Sequence, residues 1–123
     1  MRRVLVIDDE EDIREVARLS LELVGHYQVL TASCGRDGLD YARSHRPDAI
    51  LLDVMMPDMD GPAALTALRA DPSTRDIPVL FLTAKTQQAE RKRLAALGAA
   101  GILTKPFDPL KLSADIASVL HWN

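Results

Sequence analysis

The sequence has few of the features that mark secreted, membrane or nucleic-acid-binding proteins. Cys34 is the one cysteine among 123 residues, which excludes a disulfide framework and a cysteine metal site. No apolar run approaches the roughly 20 residues of a membrane-spanning helix. The formal net charge is −3 and basic residues are scattered among acidic ones, without a basic stripe. We therefore expect neither direct nucleic-acid binding nor membrane insertion.

No signal peptide is expected at the N-terminus, because it leads straight into the strand-like run Val4-Leu5-Val6-Ile7. Hydrophobic residues make up 47% of the chain and charged residues 27%, as is usual in globular proteins. A chain of 123 residues can bury the core of one ordinary domain. We therefore expect a single cytoplasmic domain over residues 1–123.

Buried strands and helical stripes alternate along the chain without a repeat or a linker. Strands are predicted over residues 4–7, 28–32, 49–53, 78–82 and 101–104. Helices are predicted over residues 13–24, 36–44, 62–70 and 87–97, and from 108 or 109 to about 120. In the first helix the predicted inward stripe is Ile13, Val16, Ala17, Ser20, Leu21 and Val24. The alternation predicts a parallel sheet with helices on both faces.

Polar side chains stand at the carboxyl ends of four predicted strands: Asp8 with Asp9, Asp53, Thr83 and Lys105. These ends meet at one edge of a parallel sheet, which is where ligands bind in such folds. Three neighbouring carboxylates repel one another unless a cation is present, and Mg²⁺ prefers oxygen ligands. Lys105 and the Thr83 hydroxyl would complement a phosphoryl group. The set predicts a site that places phosphate on a carboxylate, with the central Asp53 as nucleophile.

Each of these residues also has an ordinary structural explanation. The acidic run from Asp8 can stabilise a helix N-terminus by about 0.3–1 kcal/mol per charge. Asp53 can cap a turn, Thr83 can cap the following helix, and Lys105-Pro106 can form a surface turn. The coincidence of all four strand ends on one predicted edge favours a functional site.

With these residues in place, the sequence resembles the receiver domain of two-component response regulators over its whole length. The matching segments are Ile7-Asp8-Asp9-Glu10, Leu52-Asp53-Val54-Met55-Met56-Pro57-Asp58-Met59-Asp60-Gly61, Leu82-Thr83-Ala84 and Lys105-Pro106-Phe107. The resemblance implies a flavodoxin-like (βα)5 three-layer sandwich. Its central five-stranded parallel sheet would have the strand order 2-1-3-4-5. No effector domain is expected within residues 1–123.

The resemblance also implies a role for each matched position. Asp53 would accept a phosphoryl group from a phosphohistidine of a sensor histidine kinase or a histidine phosphotransfer protein. Asp8, Asp9, Asp53 and the backbone carbonyl of Met55 would hold Mg²⁺. Lys105 would pair with phosphoryl oxygens, and Thr83 would report their arrival to a surface that binds a downstream target protein or effector domain. The protein would be a monomer or weak dimer.

Two departures from the family pattern concern the fifth strand. The family often has Tyr or Phe three residues before the lysine, whereas this chain has Ile102, which cannot provide a ring flip. The segment 100–104 also lacks the acidic residues with which winged-helix regulators bridge receiver dimers. By analogy Ile13 and Arg14 are candidate kinase contacts, although Ile13 can equally be core. The charged run Arg91-Lys92-Arg93 is interpreted as a solvated helix face, with an output surface as the minority alternative.

Two other functions compete with the phosphorylation switch. An aspartate-nucleophile phosphatase of the haloacid-dehalogenase type has a second aspartate two residues after the nucleophile, and neither Asp53-Val54-Met55 nor Asp8-Asp9-Glu10 has it. We therefore do not expect an enzyme that turns over external substrates. A degenerate receiver that only docks partners is the alternative; the complete set of polar strand ends argues against it.

Overall fold

Strands and helices alternate throughout the structure. A computed structural model describes residues 1–84 and 87–122, and these residues form five strands and five helices. The strands are β1 (Arg3–Ile7), β2 (Gln28–Ala32), β3 (Ala49–Asp53), β4 (Val79–Thr83) and β5 (Gly101–Thr104). The helices are α1 (Glu11–Leu23), α2 (Gly35–His45), α3 (Gly61–Ala70), α4 (Gln88–Ala96) and α5 (Leu112–Leu120).

The five described strands form one parallel sheet in the order β2-β1-β3-β4-β5, which confirms the predicted order. Strand β1 lies near the middle, where Val4 pairs with Val29 of β2 on one side and Ala49 of β3 on the other. Because every pairing is parallel, all carboxyl ends lie at the same edge of the sheet.

The core has two layers because successive strand side chains point to opposite faces. In β1, Val4 and Val6 pack in a cluster with Leu21 of α1 and Ile116 of α5. Leu5 and Ile7 belong to the other cluster, whose helical members come from α2, α3 and α4: Leu39, Ala42, Ala64, Leu65, Leu68 and Leu94. Helices therefore cover both faces of the sheet, and these helical residues are buried.

The stripe predicted on α1 is wider than the one that the structure buries. Ala17, Ser20 and Leu21 are buried, whereas Val16 and Val24 are 41% and 42% exposed. Val16 lies at the margin of the stripe, and Val24 lies after the last helical residue. The stripe is therefore narrower and shorter than its spacing predicts.

The start of α5 is the largest error in the predicted boundaries. The helix begins at Leu112 and not at Asp108 or Pro109. The Asp108 carboxylate accepts a hydrogen bond from Leu110 N at 2.9 Å, and Asp108 O accepts one from Lys111 N at 2.9 Å. This side-chain turn competes with helix formation, so residues 108–111 precede the helix.

The three histidines lie at the surface or at helix ends. His45 is the last residue of α2, His121 caps the end of α5, and His26 is exposed after α1. His26 and His121 have φ angles of 58° and 57°, in the left-handed region that ends helices. Within the described ranges, no helix is long and apolar enough to cross a membrane.

Candidate functional site at the carboxyl edge of the sheet

The sheet brings the predicted polar residues to one edge. Asp53 and Thr83 are the last residues of β3 and β4, Asp8 follows β1, and Lys105 follows β5. Asp53 pairs in register with Leu82, the residue before Thr83. Lys105 N donates a hydrogen bond to Thr83 O at 2.8 Å. The convergence expected from strand topology is therefore present.

Two of the carboxylates surround the Lys105 ammonium directly. Its Nζ lies 3.0 Å from Asp8 Oδ2 and 3.2 Å from Asp53 Oδ1. The side chains of Asp8 and Asp53 are 1% and 3% exposed, and that of Lys105 is 13% exposed. Ion pairs this well buried are screened little by water, so each charge depends strongly on the others.

The loop after β1 fixes the orientation of Asp8. Its Oδ1 accepts a hydrogen bond from Glu10 N at 2.8 Å, and its backbone oxygen accepts one from Arg14 Nη1 at 2.8 Å. Asp8 N is also bound to Ala32 O of β2 at 3.1 Å. Asp8 is thus held by both backbone and side-chain contacts, with Oδ2 facing Lys105.

The loop after β3 folds closely around Asp53. Its Oδ1 accepts a hydrogen bond from Met55 N at 3.3 Å, and Gly61 N donates to Val54 O at 2.9 Å. A Cβ at Gly61 would lie only 2.6 Å from Asp53 O, so no larger residue fits without backbone movement. The Asp60 side chain accepts from Ala63 N at 2.9 Å and caps α3. The chain therefore turns back to the site and starts α3 within a few residues.

The electrostatics of the site disfavour the charged form of Asp53. Burial, followed by the negative charge of Asp8, raises the pKa of Asp53 to about 7 even though Lys105 acts in the opposite direction. Burial by itself would lower the pKa of Lys105, but contact with Asp8 and the charges of Asp8 and Asp53 raise it. The described carboxylates of the site therefore carry more negative charge than Lys105 balances.

The donor set at this edge fits a hard divalent cation. Oxygens of Asp8, Asp9, Glu10 and Asp53 lie within 4.8 Å of one another. Within the described residues, the buried Oδ2 of Asp53 has no hydrogen-bond partner. Mg²⁺ takes carboxylate oxygens and keeps several waters, and Asp9 and Glu10 are exposed enough to admit them. The residues present thus fit the predicted ion.

The remaining predicted residues lie around this centre. Thr83 is buried, with 1% of its surface exposed. The Met55 side chain is 64% exposed and directed away from the core, while its N–H contacts Asp53. A role of the Met55 carbonyl as an ion ligand stays a prediction.

Two residues of the site were not assigned there by the sequence. Glu10 Oε1 lies 3.5 Å from Lys105 Nζ, and Arg14, expected as a partner contact, braces the backbone of Asp8. Glu10 belongs to the acidic motif itself, so its position two residues after Asp8 was the available signal. No sequence signal indicated the role of Arg14, because its contact with the Asp8 backbone depends on the direction in which α1 leaves the loop.

The region around Ile102 differs in part from expectation. Ile102 is partly buried and lines a groove with a volume of about 540 Å³, together with Gln88, Arg91, Lys92 and Ala95 of α4. Arg91 is half-buried and donates to Thr104 Oγ1 at 3.2 Å, so it is not simply solvated. Arg93 is exposed and pairs with Glu90 at 2.6 Å.

Comparison with known proteins places this geometry in a family. The family model described as "Response regulator receiver domain" matches residues 4–117. The chemotaxis response regulator CheY4 of Vibrio cholerae has a similar structure, with a TM-score of 0.89 and 37% identity, covering 97% of this chain and 98% of that one.

Two longer relatives match over nearly the whole chain. The alkaline phosphatase synthesis transcriptional regulatory protein PhoP of Bacillus subtilis is 39% identical over 98% of this chain and 49% of its own length. Response regulator PleD of Caulobacter vibrioides is 43% identical over 98% of this chain and 26% of its own length. The chain thus spans half or less of these curated relatives. On the family match and these identities, the chain belongs to the response regulator receiver domain family.

Proposed function

We propose that this domain is a phosphorylation-controlled signalling switch in which Asp53 is the phosphoacceptor. The observation that carries the proposal is the buried Oδ2 of Asp53, which has no hydrogen-bond partner in the described residues and lies on a carboxylate adjoining Lys105. In the reaction, a carboxylate oxygen of Asp53 forms a bond to phosphorus while the phosphorus–nitrogen bond of a phosphohistidine breaks. The imidazole leaves with the electron pair and takes up a proton.

The surrounding residues would position the phosphoryl group and balance its charge. Lys105, 3.2 Å from Asp53 Oδ1, would pair with a phosphoryl oxygen, and the Thr83 hydroxyl would donate to another. Asp8, Asp9, Asp53 and the Met55 carbonyl would hold Mg²⁺. When bound, this ion supplies the positive charge that lets an anionic phosphoryl group approach anionic carboxylates.

The partners follow from this chemistry. A histidine kinase or histidine phosphotransfer protein would supply the phosphoryl group in the cytoplasm, and a target protein or effector domain would bind the altered surface. Receiver domains mainly signal and do not turn over external substrates. Ile102 at the usual aromatic position implies that side-chain repacking beside α4, without a ring flip, accompanies the switch.

The direct test is the intact mass of the protein after incubation with acetyl phosphate, with Mg²⁺ or with a chelator. We expect wild type to gain one phosphoryl group only with Mg²⁺, and Asp53→Asn to gain none because it lacks the nucleophilic carboxylate. Asp58→Asn is the matched control, since Asp58 lies in the same loop but outside the acidic cluster. Phosphoryl transfer to Asp53→Asn would refute the assignment of Asp53. No transfer to wild type from either acetyl phosphate or a phosphohistidine donor would favour a docking-only receiver.

A further inference from the structure

Glu10 is a fourth acidic residue of the site, and its side chain does not make the contact that is usual at its position. It is the N-cap residue of α1, but its side chain makes no capping hydrogen bond. N-cap positions usually hold short polar residues whose oxygen accepts from the first turn of the helix. Here the carboxylate is directed to Lys105 instead, with Oε1 3.5 Å from Nζ.

The three contacts of Lys105 differ in distance and exposure. Asp8 and Asp53 lie at 3.0 and 3.2 Å and are almost fully buried, whereas Glu10 lies at 3.5 Å and is 63% exposed. A long, exposed side chain can follow a moving partner, and a buried one held by its loop cannot. Glu10 is therefore the adjustable member of the set.

A cation bound by Asp8 and Asp53 would take up the same carboxylates that now surround Lys105. The ammonium and a divalent cation repel each other, and the repulsion is strong because the Lys105 side chain is only 13% exposed. Lys105 must then either lose its partners or shift to another anion. Glu10 is the acidic residue already in contact with it on the solvent side.

We propose that Glu10 is a positioning residue that accepts the Lys105 ammonium when a divalent cation binds, and so raises cation affinity. This inference rests on the proposed function, because it concerns the same acidic edge. The Oδ2 of the buried Asp53, which has no hydrogen-bond partner among the described residues, independently indicates that the edge receives a ligand. Glu10 would act on the ion through Lys105, not as one of its direct ligands.

The test is a Mg²⁺ titration without any phosphoryl donor. Binding is monitored through the NMR chemical shifts of backbone amides around Asp53. Glu10→Gln, which removes the charge with little change in shape, should weaken Mg²⁺ binding about three- to fivefold, as expected for a partly exposed ion pair. Glu11→Gln is the matched control: it changes net charge equally, but Glu11 lies outside the described acidic cluster. An equal affinity in Glu10→Gln and Glu11→Gln would overturn the proposal.

A second background separates action through Lys105 from direct action on the ion. In Lys105→Met, Glu10→Gln should weaken Mg²⁺ binding no more than Glu11→Gln does, because the ammonium that Glu10 accepts is gone. A persistent loss specific to Glu10→Gln in that background would overturn the mechanism. Thermal unfolding of each variant checks that the effect is not a loss of fold.

The acetyl phosphate assay on the same proteins distinguishes failure of this inference from failure of the proposed function. Wild type that takes up a phosphoryl group while Glu10→Gln binds Mg²⁺ normally refutes only the role of Glu10. Wild type that binds Mg²⁺ with the predicted Glu10 dependence but never accepts a phosphoryl group refutes only the proposed function. Wild type that binds no Mg²⁺ overturns both.

Discussion

The two edges of the central sheet differ in the burial and pairing of their charged residues. At the amino edge, Arg3 donates through its backbone N to Asp48 at 2.7 Å, and through its guanidinium to Gln28 and to His45 O, both at 3.0 Å. These contacts are exposed to solvent. At the carboxyl edge, Asp8, Asp53 and Lys105 are buried together, and one carboxylate oxygen lacks a partner in the described residues.

Two further contacts at the amino edge involve the ring of Trp122. The Arg2 guanidinium lies 4.4 Å from the ring centroid of Trp122, and the Trp122 and Tyr27 rings form a T-shaped contact with a centroid distance of 5.5 Å. Cation–π and edge-to-face contacts of this kind stabilise folded proteins modestly. The amino edge therefore contributes stability, whereas the carboxyl edge keeps an electrostatic cost that a bound cation can relieve.

The largest effect is expected where the backbone approaches the site most closely. Gly61→Ala should reduce the free energy of unfolding by about 2–4 kcal/mol, because the new Cβ meets backbone atoms and the core cannot yield there. Gly35→Ala is the matched change at the start of α2, where the nearest atoms belong to the flexible Met59 side chain at 3.0 Å. Urea unfolding measures both. Equal losses in the two variants would contradict this account of the site loop.

Replacing aspartate with asparagine should stabilise the protein at the carboxyl edge and should not stabilise it at the amino edge. In the absence of Mg²⁺ at pH 8, Asp53→Asn should increase the free energy of unfolding by about 1–3 kcal/mol, since it removes a buried excess charge. Asp48→Asn should leave stability unchanged or lower it, because Asp48 accepts the Arg3 N–H. Urea unfolding in a chelator measures the pair. A loss of stability in Asp53→Asn would show that excess negative charge at this edge does not destabilise the fold.

The gain from Asp53→Asn should also depend on pH. The folded state raises the pKa of Asp53 from 3.8 to about 7 because of burial and the charge of Asp8. Below the ordinary pKa both states are protonated, so the folded protein has no penalty there. As pH rises toward 7 the unfolded state loses its proton first, so wild-type stability falls relative to Asp53→Asn. A gain that did not grow over this interval would contradict the shifted pKa.

The smallest effect is expected at the amino edge. Trp122→Leu should lower the free energy of unfolding by about 1–2 kcal/mol through loss of its contacts with Arg2 and Tyr27. Far-UV circular dichroism can follow its unfolding in urea. Phosphorylation by acetyl phosphate should remain as in wild type, because Trp122 lies at the opposite edge from Asp53. Loss of phosphorylation in a folded Trp122→Leu protein would show that the two edges are coupled.

Much of the fold could be predicted because its signals are local. The apolar run that ends at Asp53 and the glycines after α1 and α4 mark their elements within a short window of sequence. The turn made by Asp108 could have been found by the same kind of reasoning, since aspartate often binds the backbone two residues later. The exposure of Val16 could not, because it depends on how much of α1 the neighbouring elements cover.

The order of the elements and the polar residues at the strand ends could be predicted, because strand and helix periodicity and chain direction are properties of neighbouring residues. The position of Lys105 between Asp8 and Asp53, the direction of Glu10 towards Lys105 and the contact of Arg14 with Asp8 become visible only in the folded protein. Burial and charge balance arise from residues far apart in the chain, since Asp53 and Lys105 are separated by 52 positions. That is why the residues of the site could be predicted while its electrostatics could not.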